Sequence, residues 1–272
     1  MDKSSKTLPP AYLYKYVDLS LQTLKNLKGQ VLYFGSPIDF NDLYDCALTP
    51  KINPPSDEEV EIIRRAQLQL ADSKTSFPKG FETLSTSELR EALMNGADSA
   101  LKEIIQTFNK TNGATCFSEN KDDLLMWAHY GGSNKGLCLE FSTAKEPLTK
   151  IIKVKYTNTL PNVDLVRLLI NSIDTMQLLF CTKSIFWEYE YEWRAFHAEA
   201  GTEYGYPPEA LTGVYFGPDI DRQSLEIVCL ILRGQNEHVK FWEGTRSTTE
   251  YKVQFKEFTY KSHLEAKKEK SV

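Results

Sequence analysis

The chain has 272 residues, 41% of them hydrophobic and 25% charged, with a net charge of −5. This is an ordinary globular composition with enough apolar material for a sizeable core, so disorder is excluded as the starting expectation. The acidic balance gives no indication of nucleic acid as a partner. No stretch approaches the roughly 18 apolar residues that span a bilayer, so a cytoplasmic protein with no membrane partner is expected.

Ala11 to Val17 alternates, with Tyr12, Tyr14 and Tyr16 on one face and Leu13, Lys15 and Val17 on the other. That period of two predicts a strand. Asp18 is positioned to cap a helix over 19–27 that ends at Gly29, and a second strand follows over 31–34. Pro54 and Pro55 then break the chain, and helical spacing predicts helices over 57–72 and 87–109. From Ala114 strands are expected over 114–118, 136–141, 151–157, 189–198, 212–216, 237–242 and 250–256, with helices over 122–130, 162–181 and 221–232. Strands outnumber helices and their connections are irregular, which predicts an α+β fold. The expected architecture is a single domain over 1–272, with a mixed or antiparallel central sheet, flanking helices and a helical insertion over about 50–112.

The five cysteines, Cys46, Cys116, Cys138, Cys181 and Cys229, are scattered and contain no CxxC pair. Buried thiols in a reducing compartment are expected rather than disulfides or a zinc site. The segment Trp187-Glu188-Tyr189-Glu190-Tyr191-Glu192-Trp193-Arg194 alternates strictly. In a strand the four aromatic residues share one face, and the three glutamates and Arg194 the other. Glutamate is a poor strand former, so this face needs either water or a task. Carboxylates two residues apart on a strand lie about 7 Å apart. One of them can steady positive charge while the other polarises a nucleophile. Arg194 is suited to holding a phosphate or keeping the carboxylates ionised.

Two further segments are candidates. Ser36, at the end of the second strand, is placed to hydrogen-bond a ligand. Asn41 and Asp42 equally serve an Asx turn. Asp39, Asp42 and Asp45 lack the spacing of a calcium loop, and no metal site is assigned. His129 and Tyr130 close a helix beside a glycine turn, where side chains commonly face a cleft.

In chain order, YKY, FGSPxxFNDxxDC, CFSExxxxLLMWAHY, KGLCLEF, WEYEYEWR and VYFG resemble a bacterial family known as domain-of-unknown-function family 2971, over about Tyr12 to Gly217. Leu43 stands where that family usually has proline, and Asn134 where a histidine often precedes Lys-Gly. The family implies no activity. A tyrosine-bearing first strand, a helix, a strand ending in serine and a later Glu-x-Glu strand also resemble the core order of NAD-using ADP-ribosyltransferases. That resemblance implies Glu192 as the catalytic carboxylate and Glu190 as the residue steering the acceptor. It places Ser36 in the second motif, with Tyr14 or Tyr16 against the nicotinamide or adenosine side. Lys15, Arg194, Asn41, His129 and Tyr130 become further substrate contacts. It implies no tightly bound cofactor, NAD as substrate, a macromolecular acceptor or regulatory protein as partner, and the role of a toxin or antiphage effector. Two other readings stay open. One is a non-catalytic nucleotide- or protein-binding sensor or adaptor, and the other is a metal-dependent nuclease built on Asp39, Asp42, Asp45 and the glutamate strand over 188–192.

Overall fold

A computed structural model describes residues 7–69, 80–170, 172–262, 265 and 267. In chain order the elements are β1 (Tyr12–Val17), α1 (Leu21–Gly29), β2 (Val31–Phe34), β3 (Lys51–Asn53), α2 (Asp57–Gln69), α3 (Thr86–Thr111) and β4 (Gly113–Ser118). Then come α4 (Leu124–His129), β5 (Leu137–Ser142), β6 (Ile152–Lys153), β7 (Lys155–Thr157), β8 (Asn162–Asp164), α5 (Leu165–Ile170) and α6 (Ser172–Phe180). The chain closes with β9 (Thr182–Ser184), β10 (Glu192–His197), β11 (Thr202–Gly205), β12 (Leu211–Phe216), α7 (Arg222–Arg233), β13 (Lys240–Arg246) and β14 (Val253–Phe258). The fold is α+β, and the chain divides into two compact units. Unit 1 takes residues 1–35, 113–154 and 186–272, and unit 2 takes 36–112 and 155–185. The expected helical insertion lies within unit 2, which also takes a second excursion of the chain. The last residues of the helix expected over 57–72 lie outside the described residues.

Unit 1 is built on a mixed eight-stranded sheet in the order β14-β13-β12-β5-β1-β4-β10-β6. Its neighbours are antiparallel except β12 and β13, which run parallel and are joined through α7, as a parallel pair requires a crossover. Along β1 the alternation read from sequence sorts the two faces. Leu13 joins Phe117, Leu139, Phe141, Trp193, Val214 and Phe216 in the main core. Leu27 of α1 and Leu225, Val228, Cys229 and Leu232 of α7 complete that layer. The 225, 228, 229, 232 spacing puts one apolar stripe of α7 on the sheet, and Asp221 caps the helix by accepting from Ser224 N at 2.9 Å. The opposite face carries Tyr14, Tyr16, Cys138 and Tyr215, packed under Met126 and Trp127 of α4. In α1 the cap is Ser20, whose hydroxyl accepts from Thr23 N, rather than the expected Asp18. Asp18 Oδ1 instead accepts from the Thr23 hydroxyl.

Unit 2 is helical, with two short parallel ladders, β3 with β8 and β7 with β9. α3 starts at a reciprocal capping box, in which Ser85 Oγ accepts from Glu88 N while the Glu88 carboxylate accepts from Ser85 N. Phe108 of α3 stacks on Phe180 at 3.6 Å between centroids. The strand expected over 151–157 is divided between the two units. Its first half, β6, pairs with β10 in unit 1, and its second half, β7, pairs with β9 in unit 2.

The largest correction concerns residues 187–194. Residues Ile185–Glu190 form a 3-10 helix, and β10 begins only at Glu192. Between them Tyr191 takes a left-handed backbone with φ of +43°. This turn is uncommon for an aromatic residue and breaks the alternation that a continuous strand would keep. Glu190, Glu192 and Arg194 are buried, Tyr191 is 44% exposed, and of the four aromatic residues only Trp193 is fully buried. β10 lies inside the sheet with both faces packed, so its charged face meets protein and not water.

Candidate functional site

The polar side chains of unit 1 are organised by sheet register. Tyr14 of β1 lies opposite Glu140 of β5 and, on its other side, opposite Ser118 of β4. Ser118 in turn lies opposite Glu192 of β10. Glu140, Tyr14, Ser118 and Glu192 therefore form one row across four strands on one face. At about 4.8 Å per strand step, Tyr14 and Glu192 are about 10 Å apart along the row, and Glu140 and Glu192 about 14 Å.

At the Glu192 end the charge is fixed by Arg194. Arg194 is fully buried, and its Nε and Nη2 donate to Glu192 Oε1 at 2.7 Å and Oε2 at 2.9 Å. Such a two-pronged guanidinium holds a carboxylate ionised and in one orientation. The Cys116 thiol sits beside this pair; burial, and then the Glu192 carboxylate, push its pKa well above the usual cysteine value. It is a poor nucleophile there.

Lys15 approaches from the other face of β1. β1 and β4 share the single register pair Tyr14 and Ser118, and Lys15 Nζ donates to the Cys116 carbonyl at 3.3 Å. Its ammonium also lies 5.4 Å from the Phe117 ring centroid. Burial lowers its pKa below the usual lysine value, while Cys116 and Glu192 act in the opposite direction.

Glu190 is held by the 3-10 helix and not by the strand. Its Oε1 accepts from the Tyr130 hydroxyl at 2.6 Å, and its main-chain carbonyl accepts from Ser118 Oγ at 2.6 Å. Ser118 thus ties the end of that helix to the row. His129 is exposed among the rings of Tyr130, Trp187 and Tyr189, with Nδ1 3.0 Å from the Tyr189 hydroxyl. The Tyr16 hydroxyl donates to the Asn120 carbonyl at 3.0 Å, and its ring stands edge-on to Trp127.

Unit 1 therefore brings together Tyr14, Lys15, Glu190, Glu192, Arg194 and Tyr130, with Tyr16 and His129 at their margins. Ser36 and Asn41 belong to unit 2. Ser36 accepts from Ile38 N and donates to the Asn109 carbonyl at 2.9 Å. Gly35, the residue before it, bridges Ala114, four residues along β4 from Ser118. The expectation that Ser36 shares a site with Glu192 therefore does not follow from the register of β4. Asp45, in the same unit, pairs with Lys183 at 3.4 Å. Among the described residues no group of three or more His, Cys, Asp or Glu side chains is placed to hold a metal ion.

Sequence reasoning missed Glu140. Its Oε1 accepts from Thr212 Oγ1 and its Oε2 from the Tyr215 hydroxyl, both at 2.8 Å. A Cβ on Gly213 would come within 3.3 Å of Glu140 Oε1, so the glycine leaves room for the carboxylate to lie across β12. The signal was present in Leu137-Cys138-Leu139-Glu140-Phe141, where one charge interrupts a run of apolar residues in an interior strand. Burial raises the pKa values of Tyr14 and Tyr215, and Glu140 raises them further, so both stay protonated hydrogen-bond donors.

Residues 126–195 match the model of a family described as a protein of unknown function (DUF2971). On this segment the chain is similar to that family, in agreement with the resemblance carried by the ordered motifs. The segment contains Trp127, His129, Tyr130, Glu140, Glu190, Glu192 and Arg194. No curated protein and no solved structure matches the chain, and the ADP-ribosyltransferase resemblance has no further support from them. No helix among the described residues is long and apolar enough to cross a membrane.

Proposed function

We propose that unit 1 binds an NAD-type dinucleotide and breaks its bond between nicotinamide and ribose. The observation that carries this reading is the Glu140, Tyr14, Ser118 and Glu192 row, with Arg194 clamped on Glu192. As the bond opens, its electron pair stays with the nicotinamide nitrogen and positive charge develops on the ribose. An ionised carboxylate fixed beforehand in a water-poor setting stabilises that charge without reorganising. The oxygen of water or of a macromolecular acceptor then bonds to the ribose carbon, and its proton passes to solvent. Tyr14 supplies an aromatic surface and an un-ionised hydroxyl in the same row. NAD is a substrate in this reading, and no tightly bound cofactor is needed. An enzyme that depletes NAD suits the role of a toxin or antiphage effector.

The burial of Glu190 and Glu192 supports a second reading, a sensor that binds a nucleotide without turning it over. Free nicotinamide measured from purified protein and NAD, alongside NAD binding by calorimetry, separates the two. Release is the expected result, and Glu192→Gln should lower it by about a hundred- to a thousandfold. Binding without release selects the sensor, and absence of both removes both readings. Because Glu192 balances a buried arginine, circular dichroism must show that the variant is folded before its rate is compared.

A further inference from the structure

Tyr14 and Tyr215 stand edge to face, 5.9 Å between centroids and 78° apart. Trp242 stacks on Tyr215 at 5.5 Å and 10° and fixes its plane. The Glu140 carboxylate is anchored beside them by Thr212 and Tyr215. Lys121 Nζ lies over both tyrosine rings, 5.2 Å from the Tyr14 centroid and 5.6 Å from that of Tyr215. Among the described residues this ammonium makes no hydrogen bond or salt bridge. It is held by ring faces, next to an anchored carboxylate. Two converging aromatic faces and one anion form the cage that proteins use to recognise organic cations.

We propose that this cage is an organic-cation site and that Lys121 occupies it as an internal stand-in for the ligand. The ligand class is a flat aromatic cation, the pyridinium of an oxidised nicotinamide. That choice rests on the NAD reading above and on Tyr14, which belongs both to the cage and to the row ending at Glu192. A pyridinium lying on Tyr14 presents its ribose toward Ser118 and Glu192. It carries the charge that neutral nicotinamide lacks, so the cage favours the substrate over the released product. Lys121 must swing out before a ligand enters. A tethered occupant competes at high effective concentration, so the free cation binds with only the fraction of molecules whose cage is open.

The test is titration of the full chain with 1-methylnicotinamide, a pyridinium without ribose, followed by tryptophan fluorescence. Neutral nicotinamide and tetramethylammonium are titrated in parallel. Lys121→Ala removes the occupant, and Lys121→Met repeats the measurement with the stem retained. Neither touches the Lys121 carbonyl that accepts from Trp127 Nε1. If the cage is closed about nine-tenths of the time, 1-methylnicotinamide binds either variant about tenfold more tightly than wild type. Neutral nicotinamide should bind more weakly than the cation throughout. Equal affinity for wild type and both variants overturns the proposal, as does equal affinity for neutral nicotinamide. Tighter binding of tetramethylammonium than of 1-methylnicotinamide overturns the pyridinium assignment. Cation binding without NAD cleavage removes the cleavage reading and leaves the cage, whereas cleavage without cation binding does the reverse.

Discussion

Unit 1 buries the Arg194–Glu192 pair and unit 2 the Lys183–Asp45 pair, and the two are built differently. In unit 1, Arg194 grips Glu192 with two bonds of 2.7 and 2.9 Å from neighbouring positions on one strand. In unit 2, Lys183 meets Asp45 from a distant part of the chain at 3.4 Å. A guanidinium fork fixes the orientation of its carboxylate, whereas an ammonium acts as a point charge. The unit 1 pair lies in a row of polar groups on one sheet face, and the unit 2 pair lies among helices and a three-residue ladder. The first pair holds a carboxylate in one orientation within a single strand, and the second ties together two distant chain segments.

Removing the cation from each pair tests this difference most strongly. Arg194→Met should cost about 4 kcal/mol of stability and Lys183→Met about 3 kcal/mol, because each removes the cation paired with a buried carboxylate. Urea unfolding measures both, and a larger loss at Lys183 would reverse the comparison. In the double variant Glu192→Gln with Arg194→Met, much of the unit 1 loss should return, since no uncompensated charge remains. A smaller effect contrasts a charged acceptor with a neutral one. Tyr130→Phe deprives the buried Glu190 of its 2.6 Å donor and should cost about 2 kcal/mol. Ser36→Ala removes a bond to a main-chain carbonyl and should cost about 1 kcal/mol. Equal losses would remove the distinction.

The smallest effect at neutral pH is the alkaline one. Burial raises the pKa values of Tyr14, Tyr16, Tyr206 and Tyr215, all in unit 1. Their folded values lie above the ordinary value of about 10, so the stability they contribute is complete below that pH and is lost as pH rises past it. Lys15 has the opposite sign, since its lowered folded value favours folding as pH rises toward its ordinary value of about 10.5. Four phenols outweigh one amine. The four tryptophans, Trp127, Trp187, Trp193 and Trp242, are all in unit 1, whereas α2 and α3 are in unit 2. Between about pH 10 and 11.5, where the phenols lose their contribution and Lys15 has little left to gain, the urea midpoint should therefore fall more by tryptophan fluorescence than by helical circular dichroism. Equal shifts by the two probes would show that the units unfold together.

Much of the architecture was legible where one element serves one unit. The alternation of β1 sorted its two faces correctly, with tyrosines under α4 and leucine in the main core. The helical spacing of 87–109 and 221–232 located α3 and α7 to within two residues. The four short strands β3, β8, β9 and β11 were missed, because three or four residues display no reliable period. The division of 151–157 was illegible for a different reason. Neither half announces which partner strand it joins, and register is decided by distant residues. The site was legible as residue types and not as geometry. Glu192 and Arg194 were singled out correctly as neighbours on one strand face. An alternating charged face reads the same whether it meets water or an internal partner, so their burial was hidden. Tyr191 hid the rest, since nothing in an aromatic residue announces a left-handed backbone.

The chain enters unit 2 twice, at 36–112 and at 155–185, and returns to unit 1 each time. This has a consequence for birth on the ribosome. β1 is made first, yet its main partner is β5, with Tyr12 opposite Ser142. β10 and β12, which complete the middle of the same sheet, emerge only after the second excursion. A nascent chain thus carries an apolar strand with both edges open while more than a hundred residues are added, and pairings between such distant segments form slowly. Delivery of an intact sheet depends on keeping β1 from pairing with other chains during that interval.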